Sequence, residues 1–419
     1  MSFSDNKGVF SLAVIGGGAS GLVAAISAAR TAQKNNKKIN ISIYEANPRV
    51  GKKILVTGNG RCNITNTNIS PNCYFGSKDL FFGVYEHFDN NALIAFLEEL
   101  GLKVKTDFAG RVYPLSNQAA SVLDVLRYEL LRLKINVVCD TKIVSLKKTA
   151  RGFLLNDEFF ADACIISTGG KAASVHGSDG SGFELLKPFN IKTTPIFPAL
   201  TALCVENFTK ALKGIRADGE IAIKCAGKTL LRASGEIQYT EYGLSGIPSM
   251  QVSRAASEQL LLNKGKDVFA VVDSAVSVSD EELKQFLLSF ARNNTEIPGE
   301  MLLAGLMPKR LGATLMSDCS LSIEKSVKCI NQGAFDKLVN AIKHKKYKIS
   351  SVKGFNDAQV TAGGISAEEI DFNTLELKKV KGMYVCGEIA DVDGTCGGYN
   401  LQWAFSSGYL AGQKSVMEI

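Results

Sequence analysis

The sequence predicts an α/β protein in which one α/β domain is split by a β-rich insert and a small helical insert. Three observations carry this. A short apolar strand (LAVI) runs into Gly16-x-Gly18-x-x-Gly21 and an Ala-rich helical pattern. A second apolar run, INISIYE, closes on Glu45. Strand–helix alternation then resumes near Gln359, after a long stretch of different texture. A strand, a Gly-rich turn, a helix and an acid ending the next strand are the parts of a dinucleotide cradle.

Each element has its reason. Gly16 permits the tight turn, Gly18 lets backbone approach a pyrophosphate, and Gly21 lets the helix from Ala19 to about Gln33 lie on the strand. The free N–H groups and positive end of that helix point at phosphates. Glu45 offers a carboxylate to ribose hydroxyls and would repel a 2′-phosphate, which favours the ADP half of FAD or NAD over NADP. The charge-free run 9–29 has the length of a secretion signal or membrane span. Three consecutive glycines at its centre, and its continuation into a second strand with an acid, assign it to a buried strand–turn–helix.

Beyond Glu45 comes a loop rich in Gly, Asn and Thr, NPRVGKKILVTGNGRCNITNTN, of a length that is usually functional. Helical patterns at 79–88 and 91–100 precede a short strand at 103–106, and Asn117 is read as capping a helix through Leu133. The run 136–139 is the third strand of the sheet. Segments 142–148, 152–156 and 158–160 read as an antiparallel meander, and DACIIST returns as a buried strand ending in Gly169-Gly170. Alternating strands dominate from about Thr193 to about Asp273, followed by helical patterns at 279–293, 299–307 and 323–343. The strand GMYVCGE and a helix over 399–414 complete the chain pattern. The expected divisions are 1–192 and 358–419 for the split domain, 193–277 with about 345–357 for the β-rich insert, and 278–344 for the helical one.

Composition excludes several classes. Hydrophobic residues make up 46% and charged residues 21% of 419, which fits a globular chain of two or three domains. The net charge of +7 is dispersed, and KHKKYK at 343–348 reads as a solvated helix end, so no nucleic-acid partner is expected. Membrane insertion is not expected either. The ten cysteines include no C-x-x-C pair and there are only three histidines, so no metal site is expected and the thiols read as reduced, in a cytoplasmic protein. Oligomeric state is not legible.

Three separated segments look built to line a dinucleotide with a redox head: the Gly-rich turn with Glu45, Ser167-Thr168-Gly169-Gly170, and MYVCGEIADVDGTCGGYNLQ. The blocks GGGASG, GKKILVTGNGRCNITN, GRVYP, STGG, GLSGIP, LMPKRL, VTAGGIS and CGEIADVDGTCGGYNLQWAFSSGYLAG cover nearly the whole chain. Through them it resembles the YhiN/BaiN-like family of NAD(P)/FAD-dependent oxidoreductases, some of whose members are called aminoacetone oxidases. The resemblance implies a Rossmann-like FAD domain of glutathione-reductase type, split by a β-barrel-like module and a helical module.

Position by position, the resemblance implies ADP contacts at Gly16, Gly18, Ala19, Gly21 and Glu45, with Ile143 beside the adenine. Thr168, Gly169 and Gly170 would pack on the dinucleotide. Lys52, Thr57, Gly58, Gly60, Arg61, Cys62 and Asn63 would follow the diphosphate toward the isoalloxazine. Gly387, Glu388, Asp393, Gly398, Tyr399, Asn400 and Gln402 would surround the ribityl and pyrimidine end. Glu241 stands where many relatives carry a histidine, so a His base there is not available.

The implied cofactor is non-covalent FAD, with NAD(P)H as a transient donor, since no second GxGxxG unit is visible. The leading expectation is a reductase of a small or hydrophobic organic substrate, in which hydride passes from flavin N5 to an activated C=C. Tyr242 or Tyr399 would supply the proton or polarise the carbonyl. One alternative is an amine oxidase using O₂, with Glu241 holding the substrate ammonium. Another is a regulatory FAD-binding protein without turnover.

Overall fold

Alternating strands and helices at the two ends of the chain assemble into a parallel sheet in the computed structural model, which describes residues 9–262 and 267–417. The described residues divide into two compact units: those up to Ile196 with those from Gln359, and Phe197–Ala358.

In the first unit the strand order is Met383–Val385, Ala163–Ile166, Phe10–Ile15, Ile39–Tyr44, Asn136–Val138, every pair parallel. The chain runs outward from Phe10–Ile15 to Asn136–Val138, then crosses back to place Ala163–Ile166 on the other side of the first strand. That reversal opens a crevice at the carboxyl ends of the two central strands. Both strands are buried on both faces, as a parallel sheet under helices requires. The antiparallel meander lies at Leu146–Lys148, Phe153–Leu155 and Phe159–Ala161.

The first helix, Ala19–Lys34, packs on the last, Tyr399–Met417, almost backbone to backbone. A Cβ on Gly408 would collide with the Ser20 carbonyl, and one on Gly412 with that of Ala24. The Ser27 hydroxyl donates to the Tyr409 carbonyl at 2.7 Å. Small residues on one face of each helix therefore fix where both helices begin.

The second unit contains a closed antiparallel barrel, ordered Leu203–Val205, Gly243–Ser245, Lys228–Tyr239, Arg216–Cys225, Val268–Asp273, Lys345–Val352. Barrel residues such as Ile221, Ile237 and Val272 share one core with helix residues Leu283, Leu315 and Leu338. The split α/β fold with its barrel is the fold class the sequence predicts.

Several elements differ from expectation. Ile247–Leu262 is a helix where strands were expected. Its buried face is Ser249, Val252, Ser253, Ala256 and Ser257, so the helical period is written in small residues rather than large apolar ones. The pattern at 299–307 yields only the 3₁₀ turn Gly299–Leu302, and the neighbouring helix is Lys309–Asp318. The pattern at 323–343 yields the 3₁₀ turn Val327–Cys329 and becomes α-helical at Gln332, where the Asn331 side chain accepts from the Ala334 N–H. Asn117 is not a cap: it takes φ 57°, and the helix starts at Ala119 after Gln118. Among the described residues no helix is long and apolar enough to cross a membrane.

Candidate functional site

The carboxyl ends of the central strands deliver Gly16, Glu45, Ser167 and their neighbours to one cleft of about 1200 Å³, part of it open to solvent. The turn after the first strand is built around glycine. Gly16 takes φ +105°, and a Cβ on Gly17 would stand 2.5 Å from Val50 Cγ1. No side chain caps the first helix, and the residues at its start, Gly17, Gly18, Ala19 and Ser20, line the cleft. A Cβ on Gly18 would meet no heavy atom of the described residues within 4 Å.

Glu45 is buried beside this turn. Its Oε2 accepts from the Gly17 N–H at 2.8 Å, and its Oε1 accepts from the Asn47 N–H at 2.8 Å and Asn47 Nδ2 at 2.7 Å. A carboxylate has about four acceptor positions, so one remains for a ligand hydroxyl. Lys52 Nζ reaches Asn47 Oδ1 at 3.4 Å, which brings the following loop to the same end.

Of the residues singled out in the sequence, Gly16, Gly18, Ala19, Glu45, Lys52 and Thr57 line the cleft. So do Ile143, Thr168, Gly169, Glu388 and Asn400. Glu388 is half committed to the fold: its Oε2 pairs with Lys53 Nζ at 2.8 Å, and its Oε1 accepts from the Thr361 N–H at 2.8 Å. Asn400 sits in the first turn of the last helix and clasps Gly394, accepting from its N–H and donating to its carbonyl, both at 2.8 Å.

The others stand behind the lining. Gly21 supports the turn, since a Cβ there would strike the Gly16 carbonyl. Gly58 (φ +56°) and Gly60 (φ +78°) shape the loop that returns the Cys62 N–H to the Thr57 carbonyl at 3.0 Å. Cys62 is fully buried and burial pushes its thiol up to about 12, so it is not a thiolate nucleophile. Arg61 is exposed with its guanidinium 4.7 Å from the Tyr113 ring centre. Asn63 Oδ1 is buried and faces Gly398, whose φ is +102°. Gly170 packs on Thr361, and Asp393 is buried in a ladder with Phe75.

Gly387 (φ +78°) donates its N–H to Ser407 Oγ at 2.9 Å, and its carbonyl accepts from Trp403 Nε1 at 2.9 Å. Gln402 is an internal strut, bonded through its side chain to Thr65 and Ser406. Tyr399 donates to the Asn68 carbonyl at 3.2 Å, and burial raises its hydroxyl pKa, so it stays protonated. Glu241 and Tyr242 belong to the second unit. Glu241 is exposed and paired with Lys213 at 2.7 Å, and Lys353 Nζ lies 4.3 Å from the Tyr242 ring centre.

Sequence reasoning missed Asn47, Lys53, His176, Ser178 and Trp403, all of which line the cleft. Only Asn47 carried a local signal, as a short amide two residues beyond the strand-end acid. The buried Nδ1 of His176 and Oγ of Ser178 have no hydrogen-bond partner among the described residues. Unpartnered polar atoms, the open space at Gly18 and an uncapped helix start are what an elongated polar ligand with a diphosphate would complete. The cleft fits FAD.

A parallel sheet carrying such a cleft defines the class: the protein is an FAD-dependent oxidoreductase. A family model described as HI0933-like protein Rossmann domain matches residues 10–414, and the chain belongs to this HI0933-like family. It is 37% identical over 97% of its length, and 98% of the relative's, to a protein of Clostridium scindens named 3-dehydro-bile acid delta(4,6)-reductase. Proteins named ribosomal RNA dihydrouridine synthase are also similar. The one from Haemophilus influenzae is 24% identical over 94% of this chain and 96% of its own, and the one from Escherichia coli 25% over 97% and 98%.

Proposed function

We propose that the protein is an NAD(P)H-driven reductase that saturates a carbon–carbon double bond conjugated to a carbonyl in a small, hydrophobic organic substrate. One observation carries this reading: the full-length likeness, at 37% identity, to a protein named as a bile-acid reductase. The dihydrouridine synthases support the bond type, because dihydrouridine is uridine with a carbonyl-conjugated ring double bond saturated. Their lower identity, 24–25%, favours the small substrate over RNA.

FAD, when bound, supplies hydride transfer between a nicotinamide donor and the acceptor bond. The chain supplies position and charge. In this reading Gly16, Gly18 and Ala19 hold the diphosphate against the first helix, and Glu45 takes a ribose hydroxyl. Ile143, Thr168 and Gly169 border the adenosine. Lys52 and Thr57 follow the diphosphate, and Glu388 and Asn400 border the flavin end, where the start of the last helix favours negative charge. Tyr242 and Tyr399 are the candidates in this reading for the proton delivered to the adjacent carbon, and the Tyr399 hydroxyl donates to the Asn68 carbonyl in the structure.

Product analysis tests this. Purified holoenzyme with NADH or NADPH should add two hydrogens to a 3-dehydro bile acid carrying Δ4,6 unsaturation, as read by mass spectrometry. Reduction of uridine in ribosomal RNA alone, or oxidation of an amine with O₂ and no reduction, would contradict the assignment.

A further inference from the structure

The loop between Ala172 and Ser181 holds polar atoms in positions that the fold itself does not use. Ser178 is 4% exposed, and neither its Oγ nor the buried Nδ1 of His176 has a hydrogen-bond partner among the described residues. Dry unpartnered groups are disfavoured unless something outside the chain completes them, and both residues line the cleft.

The loop is held in shape. Ala173 (φ +58°), Gly177 (φ +104°) and Gly180 (φ +85°) all take left-handed backbone around the 3₁₀ turn Ser174–His176. The Gly180 N–H donates to the Gly170 carbonyl at 3.0 Å. Asp179 Oδ1 accepts from the Ser181 N–H at 2.9 Å, and its Oδ2 pairs with Lys142 Nζ at 2.6 Å. Lys142 lies between Thr141 and Ile143, and all three line the cleft.

The loop also has an address within the cleft. A Cβ on Gly177 would run into Asn47 Nδ2, the atom that donates to Glu45 Oε1. A Cβ on Gly169 would stand 2.8 Å from Ser178 Oγ, so the missing side chain there is what admits Ser178. His176 and Ser178 are thus held between the Glu45–Asn47 corner and the end of the Ala163–Ile166 strand. An imidazole nitrogen and a hydroxyl can each donate or accept, which matches ribose hydroxyls and phosphate oxygens together.

We propose that residues 173–180 form a clasp on the ADP half of FAD, with His176 and Ser178 hydrogen-bonding at the junction of ribose and diphosphate. The proposal rests on the reading of this cleft as the FAD site. The test follows FAD dissociation from holoenzyme on dilution, by the rise in flavin fluorescence, together with competition by ADP during FAD rebinding. His176→Ala and Ser178→Ala should each speed FAD loss and weaken ADP competition about tenfold, the effect of one ligand hydrogen bond. His176→Asn, which keeps a polar atom near the place of Nδ1, should restore most of both.

Unchanged dissociation in both alanine variants would overturn the clasp. So would faster dissociation that leaves ADP competition intact and is not rescued by asparagine, since that would locate the effect away from the ADP half. Gly18→Val separates the two readings. If it retains FAD, the cleft assignment fails; if it loses FAD while the alanine variants behave as wild type, only the clasp fails.

Discussion

Gly16 and Gly18 are two residues apart and are glycines for different reasons. Gly16 has φ +105°, and a Cβ there would stand 2.6 Å from the Ser167 carbonyl oxygen, so the fold requires it. Gly18 has φ −79°, which any residue adopts, and open space around its would-be Cβ, so the fold does not require it, and in the proposed reading the diphosphate does. Gly16→Ala should therefore cost roughly 2 kcal/mol or more of stability, through left-handed backbone and overlap. Gly18→Val should melt like the FAD-free wild type yet purify without flavin. Thermal melts with and without FAD check both. The turn and Glu45 were legible because strand, glycine spacing and acid lie within one local pattern. His176 and Ser178 were not, because no local spacing marks them; Lys53 and Trp403 follow Lys52 and Gln402 directly, and only the fold decides which neighbours turn to the cleft.

At the scale of elements, the contact between the first and last helices positions the cleft. Gly412→Ala would press a methyl on the Ala24 carbonyl and force the helices apart. We expect a loss of about 1–3 kcal/mol and weaker FAD retention, read by denaturant melts and flavin content. On its outer side the first helix is tied to helix Ala119–Arg132 by Glu129, which accepts from Arg30 at 2.8 Å and Arg132 at 2.6 Å. Burial alone would raise the Glu129 carboxyl pKa, but the hydrogen bonds from Arg132 and Arg30 outweigh it and hold the pKa below 4.5. A depressed carboxyl contributes stability above its ordinary value and loses it as pH falls through the folded value. Glu129→Gln should thus cost roughly 1–2 kcal/mol at neutral pH, since both arginines keep some solvent. The gap to wild type should close as pH falls below the ordinary carboxylate range and through the depressed folded value, in an acid unfolding series. A constant gap would mean that the Glu129 pKa is the same in the folded and unfolded chain, so that the arginine hydrogen bonds do not depress it. The strands of the parallel sheet were legible as buried apolar runs. Helix Ile247–Leu262 was not, because a stripe of Ser and Ala gives no hydrophobic period to read.

At the scale of the whole molecule, the likeness to the HI0933-like family runs from residue 10 to 414 and unites both units in one flavoenzyme. Among the described residues the cleft lining includes the start of the first helix and hydrogen-bonding side chains and no cysteine, and the Cys62 thiol is buried away from it. Acid or heat should therefore release all the flavin into solution; flavin remaining with the precipitated chain would reveal a covalent link. In the proposed function, electrons enter from NAD(P)H and leave to a conjugated double bond. Anaerobic stopped-flow tests it most directly. Holoenzyme first reduced by one equivalent of NADH or NADPH is mixed with a Δ4,6 3-dehydro bile acid, and the oxidised-flavin absorbance is followed. That absorbance should return rapidly without oxygen, with one equivalent of substrate reduced. Flavin that is not bleached by either nicotinamide, or that once reduced is reoxidised only when O₂ is admitted, would contradict it.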